Sequence, residues 1–381
     1  MKKLAIITSH PIQYNAPLFK KLAEVPYLEL LVFYTWGIDV AKIKYDPGFN
    51  QEIEWDLPLL DGYNYQFCYN VSKEPGSHHF SGIKTPKLIS QIEEWGADII
   101  WVWGWAFHSH LAVLRHFKGK TKILFRGDST LLDEAPGFSI KKLVRKVFLK
   151  WVYSHVDKAF YVGTNNKDYF LKFGLKKNQL VLAPHSVDNA RFERLTVSGY
   201  QNLAEMRESL ELVEDDFVLL FAGKLEIKKN PLFLIQVIKL LGDTKVKLVF
   251  VGNGHLEAEL KSLAPSQVKF LNFQNQTTMP IVYRLADLFV LPSLGPGETW
   301  GLAINEALAC GTPVAASIYC GGSVDLINFD NGFLFDPKNG PEIFIENLKR
   351  FRKQAKKDFI STFKNHFSYD RIIEAVKENL N

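Results

Sequence analysis

The sequence predicts an α/β protein made of two successive doubly wound domains, and three observations carry that expectation. Residues 4–8 are apolar, a polar loop follows, and an amphipathic stretch begins at 18, the strand–loop–helix order that starts a doubly wound sheet. The same order restarts at 217–221, after a charged segment at 193–213 that reads as a connecting helix. The chain has 381 residues, more than one core usually serves.

Composition excludes some classes. The formal charge of +5 is mild, and no arginine-rich tract or base-stacking pattern points to nucleic acid. Cys68, Cys310 and Cys320 are odd in number and lack metal or redox spacing, so they read as reduced, buried thiols of a cytoplasmic protein. Met1-Lys2-Lys3 leads straight into a short strand, unlike a secretory leader, and the most apolar run, 99–107, is too short to span a bilayer.

In the first half, the strand at 4–8 runs into Ser9-His10-Pro11-Ile12-Gln13-Tyr14-Asn15-Ala16-Pro17. No glycine occurs between Met1 and Gly37, which rules out a Gly-x-Gly-x-x-Gly dinucleotide turn. His10, Gln13, Tyr14 and Asn15 stand where a doubly wound sheet binds ligands, and suit hydrogen bonding and stacking on a sugar; alternatively the loop only satisfies its own backbone. A strand is expected at 28–35. The polar stretch 37–85 reads as an extended loop with short strands, part of an acceptor pocket. A helix at 86–95 and a strand at 98–103 follow, with Trp103, Trp105, His108 and His110 clustered beyond as either a sugar-stacking group or core. The strand at 122–125 ends in Arg126-Gly127-Asp128-Ser129.

Between 140 and 155, Ile140, Leu143, Val144, Val147, Phe148, Trp151 and Val152 form one apolar helical stripe, expected to pack against the first sheet. Lys141, Lys142, Arg145, Lys146 and Lys150 fill the other face without an acid, a surface suited to reversible docking on an anionic membrane without insertion. A strand at 160–164, a helix at 165–173 capped by Gly174, and a strand from 180 complete this half.

In the second half, the strand at 217–221 ends in Gly223-Lys224, with Lys229 five residues on. Two cations around one strand end can converge on a diphosphate. The strand at 247–251 ends in Gly252-Asn253-Gly254, and the strand at 268–270 leads to Asn272-Phe273. A helix at 279–285 and a strand at 288–291 introduce the loop Pro292-Ser293-Leu294-Gly295-Pro296-Gly297. A helix is expected from Thr299, since Leu302, Ala303, Glu306, Ala307 and Cys310 recur at helical spacing and Gly311 ends the pattern. The amides of Thr299, Trp300, Gly301 and Leu302 then offer a phosphate site, with Gly301 keeping the approach open. Glu298 and Glu306, eight positions apart, suit the hydroxyls of a sugar or ribose. A strand at 313–317, another at 332–335, and helices at 341–357 and 369–380 close the chain.

The run from Pro292 to Val314 resembles the Glu-x7-Glu signature of GT-B glycosyltransferase family 4, retaining enzymes that use nucleotide-sugar donors. His10-Pro11-Ile12-Gln13-Tyr14 resembles an N-terminal variant within that family. The resemblance implies a GT-B fold, two Rossmann-like domains facing each other across a cleft that holds the active site. It implies an acceptor domain at 1–190, with helix 369–381 packing back on it, and a donor domain at 191–368. It implies Glu306 on ribose, Glu298 on the sugar, Lys224 and Lys229 on the diphosphate, and Gly223, Asn253 and Phe273 beside the donor. His10, Gln13, Tyr14, Asn15 and Asp128 would meet the acceptor. Lys224 stands where the family usually has arginine, His185 and Ser186 replace an Asn-Gly pair, and Asp325 replaces a glutamate. Arg126 stands where many members have histidine; arginine cannot be a base but can clamp a phosphate or carboxylate, so which group takes the acceptor proton stays open, the resemblance implying the leaving phosphate. No Asp-x-Asp triplet occurs, so no metal and no cofactor is expected beyond the nucleotide-sugar donor. The acceptor implied is a saccharide or a lipid-linked saccharide of cell-surface glycan synthesis. The alternatives are a silent nucleotide-sugar-binding subunit, a sugar phosphorylase or an epimerase.

Overall fold

The computed structural model describes residues 1–38, 44–46, 48–49, 51–134, 137, 139–354 and 358–380. The chain divides into two units: Met1–Lys44, Leu57–Pro184 and Tyr369–Asn381 in the first, Tyr45–Asp56 and His185–Ser368 in the second.

The strands of the first half are β1 (Lys2–Thr8), β2 (Leu28–Tyr34), β3 (Lys44–Asp46), β4 (Gln51–Ile53), β5 (Tyr65–Phe67), β6 (Ile99–Trp103), β7 (Lys122–Arg126), β8 (Lys158–Tyr161) and β9 (Leu180–Leu182). Seven of them form one parallel sheet in the order β5-β2-β1-β6-β7-β8-β9, while β3 and β4 pair apart. The sheet is covered on both faces, which is why β1 is a continuous apolar run rather than an alternating one. Leu4 and Ile6 enter one buried cluster, Ala5 and Ile7 the other. The first cluster also takes Ile372, Ala375 and Val376 of the helix Tyr369–Glu378. Burying a side chain such as Ile372 contributes about 2 kcal/mol. Tyr369 adds a 2.9 Å hydrogen bond from its hydroxyl to the Tyr14 carbonyl.

The second half contributes β10 (Phe217–Ala222), β11 (Val246–Val251), β12 (Val268–Leu271), β13 (Leu288–Leu291), β14 (Val314–Ser317) and β15 (Gly332–Phe335). They form a parallel sheet in the order β12-β11-β10-β13-β14-β15. Helices Pro231–Leu241 and Pro341–Phe351 share its core, where Phe233 stacks on Phe335 at 5.6 Å. In each sheet strand addition reverses direction once, between β1 and β6 and between β10 and β13. The crevice outside the carboxyl ends of such strands is where open α/β sheets bind ligands.

Several expectations need correction. The division falls between Pro184 and His185 rather than at 190, because His185 and Asn189 already bond to later residues: Asn305 Nδ2 donates to the His185 carbonyl at 3.0 Å and Asn189 Nδ2 to the Phe367 carbonyl at 2.8 Å. Residues 45–56 belong with the second unit, not with an acceptor loop of the first. The expected helix at 341–357 stops at Phe351, residues 355–357 lie outside the described residues, and a further helix, Ile360–His366, follows. The connecting segment is two helices, Asn189–Glu193 and Val197–Ser209.

The helix Ile140–Tyr153 differs most. Of its expected apolar stripe only Val152 enters the core. Ile140, Val144 and Val147 are 76%, 62% and 63% exposed, and the core takes Leu149 and Tyr153 beside Val152. Among the described residues no helix is long and apolar enough to cross a membrane.

Candidate active site

The reversal point of the second sheet is closed by two loops, one after β10 and one after β13. Leu294 N–H donates to the Lys228 carbonyl at 2.9 Å and Asn230 Nδ2 to the Pro292 carbonyl at 3.2 Å, so the loops are stitched side by side. Asn230 adopts φ 56°, a left-handed conformation that asparagine tolerates, and this turns the chain from the 227–229 turn into helix Pro231–Leu241. The geometry delivers Lys229 to Glu298, and the ammonium forms an ion pair with Oε2 of the carboxylate. Ser293 Oγ donates to the same oxygen at 3.0 Å. Glu298 is 9% exposed, so its charge is held by these two partners rather than by bulk water.

Glu306 is also buried, and Tyr283 donates its hydroxyl to Oε2 at 2.7 Å. Tyr283 comes from helix Met279–Arg284, and nothing in the sequence pattern signalled it. Ser293 was visible as part of the Pro-Ser pair after β13, without a role.

The helix carrying Glu306 starts at Leu302, three residues later than expected from Thr299. Gly301 is the reason: at φ 93° it caps the helix in a left-handed conformation, so Thr299 and Trp300 precede the first turn. The amide of Leu302 therefore belongs to the first turn, whose N–H groups lack intrahelical acceptors. The Trp300 side chain is structural: its indole N–H donates to Asn305 Oδ1 at 2.7 Å. The 320–322 turn supports this loop from behind, with Gly321 and Gly322 donating to the carbonyls of Glu298 and Trp300 at 2.8 and 2.9 Å.

Gly223 and Lys224 follow β10 as the sequence placed them. The Gly252-Asn253-Gly254 turn lies hard against this loop. A Cβ on Gly252 would meet the Gly223 carbonyl oxygen at 2.2 Å, and one on Gly254 the Leu225 carbonyl oxygen at 2.5 Å. Asn253 is engaged on both sides of its amide: Oδ1 accepts from the Phe273 N–H at 2.7 Å and Nδ2 donates to Glu257 at 3.0 Å. These bonds tie Phe273 to the 252–254 turn. Phe273 packs edge-on against Phe49 at 4.9 Å, and Lys224 lies over the Phe49 ring at 5.1 Å. Asn275 donates to the Glu54 carbonyl at 2.5 Å and the Thr277 N–H to Asp56 at 3.0 Å. Phe49, Glu54 and Asp56 thus lie along the 272–277 loop, an arrangement that no local pattern signals.

In the first unit, four of the five expected acceptor residues lie on the loop after β1, while Asp128 follows β7. His10 Nδ1 meets Ser9 Oγ at 2.9 Å and its ring stands edge-on to Trp36 at 5.0 Å. Gln13, Tyr14 and Asn15 follow it into helix Ala16–Ala23. Arg126, the last residue of β7, turns both terminal nitrogens towards backbone carbonyls. Its Nη1 donates to the Ala183 carbonyl at 2.8 Å, Nη2 lies 3.5 Å from the Pro184 carbonyl, and the guanidinium sits 5.1 Å from the Trp103 ring. Burial lowers its pKa to about 10, with Asp128 opposing the shift, so it stays charged at neutral pH. Arg126 anchors the strand end at 183–184.

The Trp103–His110 cluster is core in part. His110 is fully buried; Nδ1 points at the Trp103 and Gly104 carbonyls and Nε2 lies 2.8 Å from Thr35 Oγ1. All three cysteines are free and buried, and burial pushes the Cys68 and Cys310 thiols up to about 12.

Residues 203–377 match the family described as glycosyl transferases group 1. The chain is 33% identical over 152 residues to an uncharacterized glycosyltransferase of Methanocaldococcus jannaschii, covering 38% of each. It is 28% identical over 189 residues to the alpha-monoglucosyldiacylglycerol synthase of Streptococcus pneumoniae, covering 48% of this chain and 42% of the relative. These alignments span less than half the length of the relatives. Among solved structures, Anabaena HepE in complex with UDP aligns over 100% of this chain and 99% of its own, with a TM-score of 0.71 and 19% identity. The chain has the fold of GT-B glycosyltransferases, two Rossmann-like units, and its residues 203–377 are similar to the glycosyl transferases group 1 family.

Proposed function

We propose that the chain is a retaining glycosyltransferase of family 4, moving a sugar from a nucleotide-diphosphate sugar to an acceptor hydroxyl in cell-surface glycan synthesis. The observation that carries this reading is the Lys229–Glu298 ion pair at the β10/β13 reversal point, beside the Leu302 helix start. HepE, similar in fold, is solved with UDP-glucose as well as UDP. The Streptococcus pneumoniae relative is by name a maker of a glucosylated diacylglycerol, which supports a lipid-linked acceptor.

In this reading the bond between the sugar C1 and the diphosphate oxygen breaks, and Lys229 and Lys224 stabilise the negative charge that grows on the departing oxygen. No metal is required, because the two ammoniums supply the positive charge. Glu298 orients the sugar and Glu306, held by Tyr283, the ribose. The acceptor oxygen bonds to C1 from the face the diphosphate leaves, and its proton passes to the leaving phosphate oxygen. Gly223, Thr299, Trp300, Gly301 and Leu302 line the diphosphate through backbone, with Phe273, set by Asn253, at the base. His10, Gln13, Tyr14, Asn15 and Asp128 bind the acceptor. The enzyme works in the cytoplasm, against the inner face of the membrane.

The test is a panel of nucleotide sugars scored by protection against heat unfolding, followed by turnover with the best donor. A ligand at 100 times its Kd adds about 2.7 kcal/mol of stability. Protection by one nucleotide sugar that is lost in Glu306→Gln is the expected result. No protection by any of them, with the chain folded, would overturn the reading.

A further inference from the structure

The helix Ile140–Tyr153 presents a surface that the fold uses only towards its C-terminal end, where Phe148 meets the Trp105 ring at 5.5 Å and Arg115 lies over Trp151 at 5.7 Å. Successive helical residues turn by about 100°. On that wheel Ile140, Leu143, Val144, Val147, Phe148 and Trp151 share an arc of about 140°, and all are exposed. The three buried residues, Leu149, Val152 and Tyr153, lie on the far side and hold the helix to the sheet. The sequence therefore carries more apolar surface outward than inward, which core packing does not explain.

Cations flank the outward arc. Lys141 lies at one edge, and Lys146 and Lys150 at the other; all three are exposed, and none pairs with an acid among the described residues. Arg145 is excluded from this set because it pairs with Glu134, as does Lys172. The helix itself contains no acid. A contiguous exposed apolar patch rimmed by charge marks an interaction site rather than ordinary surface. A second copy of the chain would bring like lysines together. An anionic bilayer satisfies both features at once, with headgroup phosphates for the lysines and the acyl boundary for the apolar arc. At 14 residues the helix is about 21 Å long, suited to lying in the interface plane.

We propose that this face inserts shallowly into an anionic bilayer, with Ile140, Val144, Val147 and Trp151 at the acyl boundary and Lys141, Lys146 and Lys150 at the headgroups. This deepens the reading of a membrane-borne acceptor and rests on it for its purpose. It replaces docking by the basic face alone, because the apolar stripe faces out.

The test uses the full chain with vesicles of phosphatidylcholine, with and without phosphatidylglycerol. Wild type should bind the anionic vesicles, and added salt should remove only part of the binding. Val144→Gln/Val147→Gln should lower partition by about tenfold or more and abolish the salt-resistant part. Lys141→Gln/Lys146→Gln/Lys150→Gln should abolish the salt-sensitive part. Lipids brominated along the acyl chain should quench fluorescence, and Trp151→Phe should remove most of that quenching. Equal partition of wild type and the apolar variant would overturn the proposal. So would a wild-type dimer that the apolar variant dissolves without any vesicle binding. Unchanged melting temperatures show that the variants fold. Nucleotide-sugar protection, measured on the same samples, separates the two claims: partition without protection sinks the transferase reading alone, and protection without partition sinks this one alone.

Discussion

Lys229 and Glu298 come from loops that follow different strands, β10 and β13, yet form one ion pair, and Ser293 fixes the carboxylate from a third direction. The pair is a preorganised charge: an ammonium at a strand end, already oriented before any ligand arrives. Lys229→Ala should lower turnover by about 100-fold, because losing one partner of a developing transition-state charge costs about 3 kcal/mol. It should also reduce stability by about 2 kcal/mol, since a mostly buried carboxylate is left without its counter-ion. Lys229→Ala/Glu298→Gln should recover part of the stability and none of the turnover. Kinetics and denaturant unfolding of both variants check this; near-normal turnover in Lys229→Ala would remove it from the site.

Tyr283 acts on Glu306 in a different manner, by a neutral donor. Tyr283→Phe removes a hydrogen bond to a buried carboxylate, an interaction of about 2 kcal/mol. Donor affinity should weaken by about tenfold with a smaller effect on turnover, measured by calorimetric titration. Unaltered affinity and melting temperature would leave Tyr283 as a packing residue only.

Arg126 offers a sharper choice. If it anchors the 183–184 carbonyls, Arg126→Lys should lower the melting temperature, since one ammonium cannot reproduce a two-armed donor. Any loss of turnover should then be no larger than the loss of folded protein. A stable Arg126→Lys variant with turnover abolished would restore the phosphate-clamp reading.

Acid sensitivity should report His110. Burial lowers its pKa from 6.5 to about 4. Between those values the unfolded chain binds the proton and the folded chain does not, so stability falls as pH drops from about 6.5 towards 4. The full loss is about 3 kcal/mol. His110→Gln, which can keep a contact to Thr35, should flatten that part of the profile. Unfolding free energies at neutral pH and near pH 4.5 decide it, and parallel profiles would exclude His110 as the source.

If Lys224 and Lys229 carry the positive charge at the diphosphate, as proposed, a chelator should leave sugar transfer intact. Activity lost to the chelator and restored by magnesium or manganese would refute the ammonium account.

Residue patterns revealed some parts of this molecule and hid others for definite reasons. The ends of β15 follow from an apolar run, and Lys229 and Glu298 stand out through local motifs, although their pairing does not. The helix at Ile140 shows the limit of periodicity, which locates an apolar stripe but not the side on which the sheet lies. Three buried residues outvoted six exposed ones because they contact a core. The start at Leu302 was displaced by one glycine conformation. The placement of Phe49, Glu54 and Asp56 along 272–277 depends on contacts separated by more than two hundred residues, such as Asn275 to Glu54, and no local pattern encodes those.

The assignment of 45–56 and of Tyr369–Asn381 to units other than their sequence neighbours has a practical and historical consequence. Neither unit is a continuous stretch of polypeptide. A cut at 184/185 would give an N-terminal fragment without the helix that buries Ile372 and Val376, and a C-terminal fragment carrying that helix with nothing to cover it. The halves are therefore poor cassettes for recombination or separate expression. Exchange of the second unit between related chains has to carry two separate segments of the gene, 45–56 and 185–368, rather than one.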